Sequence, residues 1–197
     1  MKTALSFFSI LTILSIWCAA QDTAPLTCRG KSLPITLVPG PKMTGPELPL
    51  RFGGTRPMPS PPISGFYSET AKRFIIKTRD EFSDFWKQFT ARIPPENGMP
   101  PLPAVDFSKE MVIVTAMGMR PTSGYWTVID GACEMDGQVE VFVTNVEDTS
   151  CKGMGVFPAV TYPADAVRIP QTDLPIVFRD TNISCTEWMN RLKSTMK

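Results

Sequence analysis

The sequence predicts an α+β fold, a single domain in which an antiparallel β-sheet packs against one main helix at about residues 79–91, preceded by a proline-rich arm. Three observations predict it. Phe82, Phe85, Trp86 and Phe89 recur at i, i+3, i+4 and i+7, one apolar stripe on a helix of about three turns. After it comes a run of strand signals joined by hairpin-like links, the order expected of an α+β domain. Before it, residues 21–64 hold ten of the 20 prolines. Prolines fix φ and remove backbone donors, which excludes a long helix or a central strand there.

Residues 1–20 have the form of an export signal: Lys2, an apolar stretch from Leu5 to Trp17, and the small residues Cys18-Ala19-Ala20. The stretch is shorter than the about 20 apolar residues a bilayer span needs. Lipidation of Cys18 wants a small residue before it, and Trp17 is large, so plain cleavage after Ala20 is expected rather than a lipid anchor. Residues 21–64 are expected to form an extended arm or linker, 65–182 the folded domain and 183–197 a short helical tail. Lys72–Lys77 reads as a strand. Thr78 stands three residues before Glu81, a capping-box spacing, and Arg92 and Pro94 end the helix. Residues 93–104 form a loop with five prolines. Met111–Met117 is a buried strand. Gly124–Cys133 and Gln138–Val146 are two more, joined by a Met135-Asp136-Gly137 turn whose Asp-Gly pair signals a hairpin. Val139, Val141 and Val143 share one face, so one side of the sheet is buried. Phe157–Thr161, Ala166–Ile169 and Ile176–Arg179 are shorter strand candidates, and Thr186–Lys193 a terminal helical turn or two.

Composition restricts the chemistry. The chain has no histidine, the usual proton shuttle near neutral pH and the commonest metal ligand. G-x-S-x-G, H-E-x-x-H and calcium-loop patterns are absent, and no pair of carboxylates is singled out. The expectation is a non-enzyme with no cofactor and no metal. Met117-Gly118-Met119 offers two thioethers, a pattern more typical of packing at a strand end than of copper binding. Losing residues 1–20 removes Lys2 and no acidic residue, so the 20 basic and 19 acidic residues become 19 of each. Without a basic excess, neither nucleic acid nor an anionic membrane is an expected partner. Cys28, Cys133, Cys151 and Cys185 remain, an even number that suggests two disulfides in an exported protein, with three pairings open. Asn182-Ile183-Ser184 is a glycosylation acceptor only in a host that modifies such sites.

The segment Arg120-Pro121-Thr122-Ser123-Gly124-Tyr125-Trp126 is the candidate partner-binding site. It links two apolar strands and is rich in turn formers. Tyr and Trp bury much area at little entropic cost and are favoured at interface hot spots. The alternative is a tight loop in which Tyr125 and Trp126 point to opposite faces, one of them into the core.

An ordered set of pieces resembles the C-terminal domain of the protease-complex subunit PrcB over about Ser64–Phe178. The pieces are Ser64-Gly65-Phe66, Phe85-Trp86 in the helix, Val105-Asp106-Phe107 before the Met111 strand, Gly118 with the Pro121–Tyr125 loop, the hairpin, and Thr161-Tyr162-Pro163 leading into Val167-Arg168-Ile169-Pro170. The resemblance leaves out the arm 21–63 and the tail after Asp180. It implies an exported, non-catalytic, protein-binding role, in the periplasm, at the cell surface or outside the cell, associating with a secreted protease and stabilising its complex. The Pro121–Trp126 run is also similar to the Asn-Pro-Thr-Thr-Gly-Tyr-x-Trp loop of chagasin-type cysteine-protease inhibitors, which implies a runner-up role as a protease inhibitor acting through residues 119–126. Arg120 replaces the asparagine, Trp126 directly follows Tyr125, and chagasin-type proteins are all-β sandwiches, unlike a chain with a helix at 79–91.

Overall fold

The computed structural model describes residues 28–38, 68–90, 101–147, 158 and 160–195. The export signal with Cys18, the arm apart from 28–38, residues 93–100 of the proline loop, Cys151, Phe157 and the side chain of Phe89 lie outside the described residues.

Among the described residues eight strands and two helices follow in the order β1 (Lys31–Leu33), β2 (Thr36–Leu37), β3 (Lys72–Ile76), α1 (Arg79–Thr90), β4 (Glu110–Ala116), β5 (Trp126–Met135), β6 (Gln138–Val146), β7 (Ala164–Pro170), β8 (Ile176–Ile183) and α2 (Cys185–Thr195). They build two four-stranded sheets, β1-β5-β6-β8 and β2-β7-β4-β3. This corrects the expectation of a single antiparallel sheet against one main helix: the described residues form two sheets, β8 runs parallel to β6, and the short helical tail expected at 183–197 is a helix of nearly the same length as α1. The reason lies in β4, where Met111–Ala116 is buried on both faces. Met111 and Ile113 face Ile129, Val139, Val141 and Val143 of the other sheet, while Val112, Val114 and Ala116 face Phe82, Phe85 and Trp86 of α1. A strand apolar on both sides needs a layer on each.

Local signals fix the elements. The Glu81 amide donates to Thr78 Oγ1 (3.3 Å), and the Glu81 carboxylate accepts from the amides of Lys77 (2.9 Å) and Thr78 (3.1 Å). That is the capping box expected at the start of α1. Asp136 (φ 51°) and Gly137 (φ 73°) are both left-handed, as a two-residue hairpin requires. A bulge between Ile129 and Gly131 lets Ile129 and Ala132, three residues apart, share the inner face of β5.

The described part of the arm belongs to the fold. Leu33 packs between the sheets, β1 pairs with the edge of β5, and β2 pairs with β7. These short edge strands flank Pro34, consistent with proline's exclusion from central strands. Cys28 is bonded to Cys133 with the Cα atoms 5.4 Å apart, so the arm is tied covalently to β5. Cys185 is also disulfide-bonded, to a cysteine outside the described residues.

Candidate functional site: the 118–126 loop and the polar layer behind it

The chain passes from one sheet to the other between the end of β4 and the start of β5, and this crossing is the candidate loop. Two neighbouring segments, Glu69–Thr70 and Thr161, hold it. Gly118 has φ 80°, and a Cβ there would lie 2.7 Å from the carbonyl carbon of Thr70; the Met119 amide donates to the Glu69 carbonyl (3.4 Å). Arg120 and Thr161 exchange both backbone hydrogen bonds (2.8 and 2.9 Å), and the Thr161 hydroxyl donates to the Thr122 carbonyl (2.8 Å). Inside the loop the Gly124 amide donates to Thr122 Oγ1 (3.3 Å), a turn held by its own side chain.

The seven predicted residues divide between surface and core. Pro121 is exposed, while Arg120, Thr122, Ser123 and Tyr125 are half-buried. The Arg120 guanidinium lies 5.7 Å from the Tyr125 ring centroid, and its Nη2 is 3.9 Å from Glu147 Oε1. Stacked in this way, a half-exposed arginine loses rotamer freedom before any partner arrives. Gly124 is buried. Trp126 is not a surface anchor: it is 8% exposed and meets Trp188 of α2 edge to face, centroids 6.4 Å apart. Of the two readings of the aromatic pair, the one that sends a ring into the core describes Trp126. The most exposed apolar neighbours, Met119 (48%) and Val160 (57%), flank the Arg120–Thr161 bridge; Met119 begins the 119–126 stretch singled out in the sequence, whereas sequence reasoning passed over Val160. Met117, by contrast, is buried, so the two thioethers of Met117-Gly118-Met119 do not share a surface.

Behind the loop the space between the sheets turns polar. Along β4 and β7 the inward series runs Met111, Ile113, Thr115 and Ile169, Val167, Asp165. Thr127 and Asn145 continue the inner faces of β5 and β6. The Thr127 hydroxyl donates to Asn145 Oδ1 (2.8 Å), and Asn145 Nδ2 donates to Asp180 Oδ1 and Asn182 Oδ1 (3.1 Å each). The Ile129 amide donates to Asp165 Oδ2 (2.8 Å). Arg73 on edge strand β3 bonds Asp180 on edge strand β8 (2.5 Å) and lies over the Phe178 ring at 5.5 Å, joining the two sheets laterally. The Thr115 hydroxyl is fully buried without a hydrogen-bond partner.

Among the described residues no group of three or more Asp, Glu or Cys is placed to hold a metal ion, and no helix is long and apolar enough to cross a membrane. Two carboxylates are held below their ordinary range, both away from the loop. Glu81 is lowered first by the Lys77 amide, and Asp106 first by the Ser108 hydroxyl.

The geometry defines a β-rich scaffold with helices on its flanks, presenting a tied-down loop at one end. Residues 111–170 match the family model described as PrcB C-terminal, 60 of the 197 residues. The matched stretch runs from β4 through the loop and the β5–β6 hairpin to the end of β7, and it bears out the resemblance to the PrcB family. No curated protein and no solved structure matches the chain.

Proposed function

We propose that this chain is an exported, non-catalytic module that binds a secreted protease and stabilises its complex, using Met119–Tyr125 with Val160 as the contact surface. The observation that carries the reading is the loop's restraint. Backbone bonds to Glu69 and Thr161 and the Arg120–Tyr125 stack order it in the free protein, so less conformational entropy is lost on association. Exposed Met119, Pro121 and Val160 supply apolar area, and Arg120 and Tyr125 are residue types enriched at interface centres. The matched PrcB segment contains all of this surface and supports a protease complex as its setting. Three disulfide-bonded cysteines, Cys28, Cys133 and Cys185, fit an oxidising, exported environment. Affinity capture from the native envelope fraction with the mature chain tests it. A stoichiometric protease recovered by wild type and lost with Tyr125→Ala and Met119→Asp is the expected result; recovery unchanged by both variants overturns the loop assignment.

A second reading, inhibition through the same loop, gains from one observation. Two four-stranded sheets bring the chain nearer to a β-sandwich than a single sheet would, although α1 remains as a departure from an all-β fold. Against it, Trp126 is packed on Trp188 and unavailable to enter a cleft. Titration against papain-like and subtilisin-like proteases separates the readings: a stabilising subunit leaves hydrolysis intact, and an inhibitor abolishes it at one equivalent.

A further inference from the structure

We infer that α2 is the fixed backing of the loop, with Trp188 as a positioning residue for Trp126 and, through it, for the Arg120–Tyr125 surface. The inference rests on the reading that Met119–Tyr125 meets the partner, and it adds an element outside the matched segment 111–170. The contacts close a ring. Trp126 ends the loop and packs on Trp188 together with Val128, Val146 and Ile183. The Glu147 amide donates to the Ile183 carbonyl (3.3 Å), and the Glu147 carboxylate reaches Arg120 at 3.9 Å. Arg120 then covers Tyr125, the neighbour of Trp126.

Two anchors hold α2 in this ring. The Ser184 hydroxyl caps its first turn by accepting from the Glu187 amide (3.2 Å), and Cys185, fully buried, is disulfide-bonded. One turn later Trp188 is 9% exposed. The Glu187–Arg191 pair (2.7 Å) lies within the helix and adds no tie to the sheets. An 11-residue helix is marginal alone in water, so its place depends on these anchors. Neither the Trp126 nor the Trp188 indole N–H has a hydrogen-bond partner, so the pair works as apolar packing. Phenylalanine can therefore stand in for Trp188, whereas alanine cannot.

Amide hydrogen exchange on the full mature, oxidised chain tests this. With Trp188→Ala, amides at 119–127 exchange about tenfold faster or more, while those of β4 and the middle of β6 keep their protection. Trp188→Phe restores wild-type loop exchange. The inference is overturned by unchanged loop exchange in Trp188→Ala, or by Trp188→Phe behaving like alanine. Should alanine unfold the whole chain, Trp188→Leu carries the same comparison with phenylalanine. Loop exchange needs no partner, so it separates the two claims. A loosened loop in a chain whose wild type captures no protease leaves the role of α2 standing and removes the binding reading.

Discussion

Removing the Cys28–Cys133 bridge, by Cys28→Ser with Cys133→Ala, tests whether the arm is part of the folded unit. The bonded residues are 105 apart in sequence. In the chain-entropy treatment a loop of that length restricts the unfolded chain by about 5 kcal/mol at 25 °C. The bridge at Cys185 already restrains that chain, which lowers the effect, whereas freeing β1 in the native state raises it by loosening Leu33 from the inter-sheet core. We expect a loss of about 2–5 kcal/mol, the range seen when native disulfides are removed from small exported domains. Urea unfolding under oxidising conditions, followed by far-UV circular dichroism, gives the stability and the denaturant slope together. The slope should rise, because an unfolded chain with one fewer cross-link exposes more surface. A loss below about 1 kcal/mol with an unchanged slope would refute the reasoning, since the arm would then be a passive tether.

Three further outcomes follow from named contacts. Glu81 is held ionised by the Lys77 and Thr78 amides, so its folded-state pKa lies below the ordinary 4.5 and its contribution is present above that value and lost as pH falls through the folded pKa. Glu81→Gln removes a capping acceptor that is solvent-exposed, so it should cost no more than about 0.5–1 kcal/mol at neutral pH, with the gap to wild type closing in acid denaturation as pH falls below the ordinary 4.5 and through the folded-state pKa. Gly118→Ala should lower stability by about 1–3 kcal/mol in thermal unfolding, because φ 80° and the Thr70–Ala71 backbone both reject a Cβ. Thr115→Val removes a fully buried hydroxyl that has no partner, so it should be neutral or stabilising by up to about 1 kcal/mol in urea unfolding; a loss above about 1 kcal/mol would show that the hydroxyl is satisfied.

What the sequence made legible was local. Thr78 and Glu81 are three residues apart and cap α1; Asp136-Gly137 turns the β5–β6 hairpin; Val139, Val141 and Val143 share a buried face. Sheet membership was not legible, because strand pairing depends on partners far along the chain. Nothing in Lys31–Leu33 announces β5 a hundred residues on, and short strands flanking Pro34 look like the rest of a proline-rich arm. The parallel β6–β8 pairing is equally silent, since a buried strand reads alike in either direction. Thr115, Thr127, Asn145 and Asp165 occupy inward positions but read as solvent-facing residues until the two sheets are stacked. Trp126 was within the candidate segment, yet its burial depends on Trp188, 62 positions away, in a tail whose helix was expected but whose contacts were not.

The two ends of the inter-sheet space are built for different ends. Around Met111, Ile113, Val141 and Ile169 apolar side chains fill it, and burial there is the main source of stability. Toward the loop the same strands carry Thr127, Asn145 and Asp165, whose hydrogen bonds largely offset their own desolvation and so add little net stability, and Thr115, whose buried hydroxyl has no partner. Such a layer fixes register, because a slipped strand leaves Asn145 or Asp165 buried without a partner. The loop is thus seated on a part of the sandwich that specifies position more than it supplies cohesion. A surface held that way can vary in Met119, Pro121 or Tyr125 without reaching the apolar core, a separation that suits the contact role proposed for it.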